Sequence, residues 1–368
     1  MEQRQTDLKL YIYLGTGFLV LATTLLLLAN YVHGFASWYS VNVYAVLTAI
    51  LGRIFGVVPF SVVEILLYIA VVVLLILTVR LLAGVVRKKA GSRYFAGRMA
   101  AGIFCVVAGL FILYTVGCGV NYQRTSFAES SGIQIQAYTV EELADVCLRL
   151  TEDVNSRAEL VERDENGVMV HEDTLRQDAV KAMEMLAQKY PELQGYYPKP
   201  KEVMLPWVLS VQKITGIYSP FTFEANYNGA ITDYNVPFSA CHELSHLRGF
   251  MQEEEANFIA YLACMDADGV DFQYSGSLRG WISCMNVLYR ADQEKWAEIR
   301  VQLSGLAEAD LAANRQYWAR YDGRIAEFAE KINDNYLKAN GQAEGIQSYG
   351  RMADLIVAYY MMQSRQTG

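Results

Sequence analysis

Apolar and polar positions alternate differently in the two parts of this chain. Leu10–Val32 is an uncharged apolar run of 23 residues, long enough to cross a hydrocarbon core of roughly 30 Å. Pro59–Val79 and Met99–Tyr122 are similar runs, the first with Glu64 near its start and Arg80 just past its end. Between the first two, residues 41–58 place Val43, Leu47, Ile50, Leu51, Ile54 and Val58 at helical spacing around Thr48 and Arg53. That pattern predicts an amphipathic helix lying in the interface or packed as a short re-entrant element. A cleaved signal peptide ending near Phe35-Ala36-Ser37 would have a shorter apolar core, and further spans follow this one. A membrane region over 1–122 and a separate domain over 123–368 are therefore expected.

After Tyr122 the periodicity is that of surface and core helices. Thr139-Val140-Glu141-Glu142 is a capping-box signature opening a helix to about Leu160. Glu172–Tyr190 is a second amphipathic helix, stopped by Pro191. A proline-rich connection over Gly195–Pro206 leads to one strand candidate, Ile217–Tyr227, ended by Asn228-Gly229. Beyond Pro237 the pattern is helical: Phe238–Arg248, Gln252–Asp266, Ser277–Leu303, Glu308–Ala339 and Tyr349–Gln363. The expected fold is a multi-pass α-helical membrane region followed by a mostly α-helical domain of α+β type with one small sheet.

Charge sharpens this division. Residues 1–98 hold nine of the 31 basic residues and three of the 39 acidic ones, a balance of +6 that leaves −14 for the rest. The acidic part would repel phosphates, so nucleic acid is not an expected partner. A hydrophobic content of 53% excludes a disordered chain. Arg80, Arg87, Lys88, Lys89, Arg93 and Arg98 follow the second span with no acidic residue among them. Such a loop stays cytoplasmic. The N-terminus is then cytoplasmic too, and the domain after Tyr122 lies outside a cell membrane that the chain crosses three times. The cysteines of that domain, Cys147, Cys241, Cys264 and Cys284, are expected as buried thiols rather than a disulfide framework.

Two of the four histidines stand in Cys241-His242-Glu243-Leu244-Ser245-His246. On a helix, positions i and i+4 share a face, so both imidazoles can grip one metal ion with Glu243 beside it. Gly249 can end that helix with a left-handed cap. The chain restarts with Glu253-Glu254-Glu255-Ala256-Asn257. Catalytic zinc takes three protein ligands, and two histidines with one glutamate form an established set. Glu253 stands at i and i+4 with Asn257, which favours it as the third ligand over Glu254 and Glu255 and makes Asn257 a candidate to orient a ligand histidine. Position 252, where one further class of zinc peptidases carries a histidine, is Gln252.

The run His242–Phe250 followed by Glu253–Phe258 resembles the bacterial membrane family called domain of unknown function 3810. Pro59-Phe60-Ser61 and Ser348-Tyr349-Gly350-Arg351 extend the resemblance over nearly the whole chain. The metal motif is similar to that of gluzincin peptidases, whose second helix reads E-x-x-A-D or E-x-x-A-N. The resemblance implies a zincin-like domain with Glu253 as the ligand and Asn257 behind it, although the two helices follow one another more closely here than in many gluzincins.

The chemistry expected is zinc-assisted hydrolysis of a peptide or protein at the outer face of the membrane, with Glu243 as general base. Tyr349 and Arg351 are candidate donors to the developing oxyanion, and Ser219–Tyr227 is the candidate edge strand for substrate addition. The other reading is a membrane-anchored interaction module that retains a metal site without catalysis; an intact Glu243 speaks against it, since holding a metal does not require that base. An intramembrane protease is disfavoured, because the motif sits in no apolar run.

Overall fold

The computed structural model describes residues 2–86, 92–340, 342 and 351–367. Arg87, Lys88, Lys89 and Tyr349 lie outside the described residues. Five helices come first: α1 (Glu2–Tyr31), α2 (Phe35–Tyr39), α3 (Ala45–Gly56), α4 (Val62–Val86) and α5 (Ser92–Gly117). A π turn over Ser40–Tyr44 joins α2 to α3. Four stretches, Leu8–Tyr31, Phe35–Gly56, Val62–Gly84 and Tyr94–Gly117, are long and apolar enough to cross a membrane. The amphipathic segment expected over 41–58 is thus longer than its periodicity indicated, and it begins at Phe35.

Contacts along these helices define their directions. Gly15 of α1 packs on Phe104 of α5, Phe18 packs on Gly109, and Leu26 reaches Gly119. Residue numbers rise together in both helices, so α1 and α5 run parallel. The 35–56 segment lies along the C-terminal part of the protein. Its start bonds there through Ser37 Oγ to Thr125 Oγ1 at 2.8 Å, and its end through the Phe55 carbonyl, which accepts from Lys201 Nζ at 2.8 Å. The N-terminus of α4 is held on the same side. Glu224 accepts from the backbone N–H groups of Val62 and Val63, each at 3.0 Å, and pairs with Lys201 while both are buried. Glu64 in turn accepts from Met204 and Leu205 N–H at 2.7 and 2.9 Å.

The C-terminal part contains α6 (Phe127–Ser131), α7 (Val140–Ala158), α8 (Leu175–Lys189), β1 (Lys201–Glu202), α9 (Pro206–Ser210), β2 (Gly216–Ser219) and β3 (Glu224–Tyr227). Then follow α10 (Val236–Leu247), α11 (Glu253–Asp266), α12 (Val270–Ala291), α13 (Gln293–Arg300), α14 (Gly305–Ala319), α15 (Arg324–Ala339) and α16 (Arg351–Thr367). The protein is mostly helical with one small sheet. The capping box of α7 forms as its sequence predicts, Thr139 Oγ1 accepting from Glu142 N–H and Glu142 accepting from Thr139 N–H.

Three expected elements are divided. The strand expected over 217–227 is a hairpin. Pro220 has no N–H for a ladder, while Ser219 bonds Thr222 and Phe223 across the reversal. The sheet order is β1-β3-β2, with β1 parallel and β2 antiparallel to β3. Hence β3 is central and β2 is an edge. The helix expected over 277–303 starts at Val270 and breaks where Asp292 caps α13, accepting from Glu294 and Lys295 N–H at 3.0 Å. The one expected over 308–339 breaks at Asp322-Gly323. Helix α10 packs against α8, α11, α12, β2 and β3, and every residue of it except His242 is buried. This burial makes it a rigid support for its two histidines.

Candidate metal centre

Helix α10 ends where the sequence indicates. Gly249 adopts φ 86°, and its N–H bonds the His246 carbonyl at 2.8 Å. A Cβ at this position would also come within about 3 Å of Ser40 Oγ and Arg124 Nη1. The short turn that follows brings the start of α11 back beside the histidines.

His242, His246 and Glu253 each offer one ligand atom, all within 4.8 Å of one another. Glu253 Oε2 lies 3.3 Å from His242 Nε2, and Glu253 Oε1 lies 3.7 Å from His246 Nε2. Zinc–ligand bonds of about 2.0–2.1 Å in a tetrahedron separate the ligand atoms by roughly 3.4 Å. The donor set and its spacing therefore fit that ion. His246 Nδ1 lies 2.8 Å from the Phe250 carbonyl, a contact that fixes the ring with Nε2 toward Glu253. Burial, together with the neighbouring His242, lowers the His246 pKa to about 4, so this ring is neutral, as a ligand must be. At His242 burial also pulls downward, but Glu253 and Glu243 outweigh it and the net shift is upward.

Glu254 and Glu255 point elsewhere. Glu254 accepts from Gln342 Nε2 at 2.8 Å, and Glu255 accepts from Phe127 N–H at 2.6 Å. Of the three consecutive glutamates, Glu253 alone faces the histidines. Asn257 is buried and lines the same cavity, yet among the described residues it bonds neither ring; the Phe250 carbonyl holds His246 instead. His242 Nδ1 is buried without a hydrogen-bond partner.

Glu243 lies against edge strand β2. A Cβ on Gly216 would meet Glu243 Oε1 at 2.5 Å, so only glycine lets the carboxyl come this close to the strand. Burial raises the Glu243 pKa to about 8, and its Oε2 is buried with no hydrogen-bond partner. Such a carboxyl suits proton transfer near neutral pH.

The metal triangle, Glu243 and β2 line one cavity of about 570 Å³. Tyr114, at the end of α5, and Tyr336, from α15, form its far wall, and the Tyr122 hydroxyl donates to that of Tyr336 at 3.2 Å. Phe238, Ser239 and Arg279 complete the wall on the α10 side. Arg351 is not among these lining residues; it opens α16 on an exposed surface. The edge strand beside the metal helix is Gly216–Ser219 rather than the expected Ser219–Tyr227, whose second half, Glu224–Tyr227, is the central strand. Tyr218, Tyr336 and Arg279 carried no sequence signal: they come from three distant elements, and tyrosine occurs 25 times in the chain.

The family described as "Protein of unknown function (DUF3810)" matches residues 39–357, and the chain belongs to it. No curated protein and no solved structure matches the chain.

Proposed function

We propose that this member of the DUF3810 family is a membrane-anchored zinc hydrolase that cleaves a peptide or protein at the outer face of the membrane. The observation that carries the reading is the His242–His246–Glu253 triangle with Glu243, also on α10, set between it and edge strand β2. His242, His246 and Glu253 would hold the ion. A bound zinc supplies Lewis acidity and brings the pKa of a water toward about 7. Glu243 then removes a proton from the attacking water and delivers it to the leaving amine. Strand β2 has β3 on one side, and Gly216, Ile217 and Tyr218 border the cavity, so an extended substrate can add to its free edge.

Three spans, with the loop after α4 inside, are supported by the contacts of the helices. The parallel course of α1 and α5 and the anchoring of the α4 N-terminus by Glu224 bring the end of α1, the start of α4 and the end of α5 to the same side. The 35–56 segment bonds the C-terminal part at both ends, as an interfacial helix would.

The test is zinc content and hydrolysis of a broad peptide library by the full chain in detergent. Wild type should carry one zinc and cleave, and His242→Ala should do neither. Equal zinc in the two proteins would overturn the reading.

A further inference from the structure

We propose that Arg279 is the anion-binding residue of this cavity and receives a carboxylate of the substrate beside the metal site. The inference rests on the zinc-peptidase reading and adds a substrate class to it. Arg279 projects from α12 and lines the cavity with His242, Glu243, Phe238 and Ser239. Among the described residues no carboxylate lies within ion-pair distance of its guanidinium, and no acceptor hydrogen-bonds it; its neighbour is the Phe238 ring, 5.0 Å away. Three other enclosed arginines of this protein each have at least one acceptor, though some of their guanidinium nitrogens stay unpaired. Arg163 pairs with Asp310 at 3.1 Å, Arg124 donates to the Arg248 carbonyl at 2.8 Å, and Arg248 donates to the Gln194 carbonyl at 3.2 Å.

A guanidinium cannot discharge itself by losing a proton, so an enclosed one calls for an acceptor from elsewhere. The two carboxylates of the cavity do not serve. Glu253 faces the histidines and Glu243 faces Gly216. Of the two cationic side chains lining the cavity, Lys213 and Arg279, Arg279 is the one that no carboxylate pairs among the described residues. Lys213, also at its edge, is balanced by Asp322. An anionic substrate group supplies the partner, and the planar fork of arginine matches a carboxylate with two parallel hydrogen bonds.

Position follows from α10. Phe238, on which the guanidinium rests, stands four residues before His242 and so on the same face. The carboxylate would sit about one helical turn, roughly 5.4 Å, from a metal ligand. A C-terminal α-carboxylate held there makes the enzyme trim chain ends; an Asp or Glu side chain makes it cut beside an acidic residue.

The test uses the full chain in detergent, zinc-loaded, and a randomised tetrapeptide library prepared once as free acids and once as C-terminal amides. Retention on the protein is read by mass spectrometry. Wild type should retain free acids about tenfold over amides, or else enrich Asp and Glu about tenfold within the amide library; the first result identifies an α-carboxylate and the second a side chain. Arg279→Gln should abolish whichever preference is found while zinc content stays at the wild-type level. Arg279→Lys, which keeps the charge but not the fork, should retain only part of it, and it carries the test should the glutamine variant not fold. Equal retention of both libraries with no acidic enrichment overturns the proposal, as does a preference that survives both substitutions. Wild-type protein that binds no zinc would instead overturn the underlying peptidase reading, a result separable from these.

Discussion

The hydroxyl of Tyr44 donates to the backbone carbonyl of His246 at 3.1 Å, across 202 residues of sequence. The last carbonyls of a helix lack intrahelical partners, so a residue from the segment before α4 helps to cap the helix that carries both histidines. Tyr44 also lies 2.9 Å from the Tyr218 hydroxyl, which donates to the Gly117 carbonyl at the end of α5. Tyr44→Phe should cost about 0.5–1.5 kcal/mol, the net worth of a hydrogen bond, because the His246 carbonyl still accepts from Gly249 N–H and the Tyr218 hydroxyl still donates to the Gly117 carbonyl. A lowered melting temperature and faster zinc release to a chelator are expected; unchanged values for both would show that this cap does not matter.

The three glutamates should separate by function. Glu253→Ala should lose zinc. Glu254→Ala and Glu255→Ala should keep it but lower stability, because they strand Gln342 and the Phe127 N–H respectively. Metal analysis beside a thermal melt distinguishes the two outcomes, and zinc loss in Glu254→Ala would refute the ligand assignment.

Removing the base should leave the metal. Glu243→Gln should retain zinc and lose roughly 10²–10⁴-fold in hydrolysis. Gly216→Ala pushes a methyl group into the space of the Glu243 carboxyl, and a misplaced base should cost on the order of 10²-fold. Zinc content should be unchanged there too. Normal turnover by Gly216→Ala would mean that the carboxyl does not work from its position against β2.

Asp271 provides a pH-dependent test away from the metal. Burial raises its pKa, with Glu172 and Asp178 adding to the shift. Its folded-state pKa exceeds the unfolded value of about 3.9, so ionisation penalises the native state at neutral pH, and the penalty fades as pH falls toward the unfolded value. Asp271→Asn should therefore raise the melting temperature at pH 7 and have progressively less effect as pH approaches 4. A gain independent of pH would point to packing instead.

Reporter fusions test the topology. On the proposed topology, a fusion after Lys89 and another after Gly368 should report opposite compartments, since a loop with six basic residues from Arg80 to Arg98 favours the inside. The same signal from both would remove the outer-face assignment.

What the sequence disclosed was local. The His242/His246 spacing, the Gly249 cap and the Thr139 capping box are each set within a few residues, and each stands where its pattern indicates. The Glu253/Asn257 periodicity singled out the glutamate that faces the histidines, although the amide it also pointed to bonds neither ring. Contacts at long separation left no trace. Nothing around Tyr44 distinguishes it from other tyrosines of the apolar segments, and Arg279 sits among ordinary positions of α12. The hairpin was hidden because residues 217–227 are uniformly strand-like, and only Pro220 hinted at a reversal.

The clasp formed by Lys201 and Glu224 bears on what a protease could do to this protein. Glu224 caps α4, and Lys201 reaches back to the Phe55 carbonyl. Both partners are buried in the C-terminal part, and their bonds to Phe55, Val62 and Val63 cross to the N-terminal helices. Cleavage of the chain among residues 123–126 would cut one covalent thread, while the bonds of Glu224 to Val62 and Val63, of Lys201 to Phe55 and of Glu64 to Met204 and Leu205, with the Tyr44 cap, still held the two halves. The protein is thus built against shedding: nicked once, its C-terminal part would stay attached to the helices that anchor it.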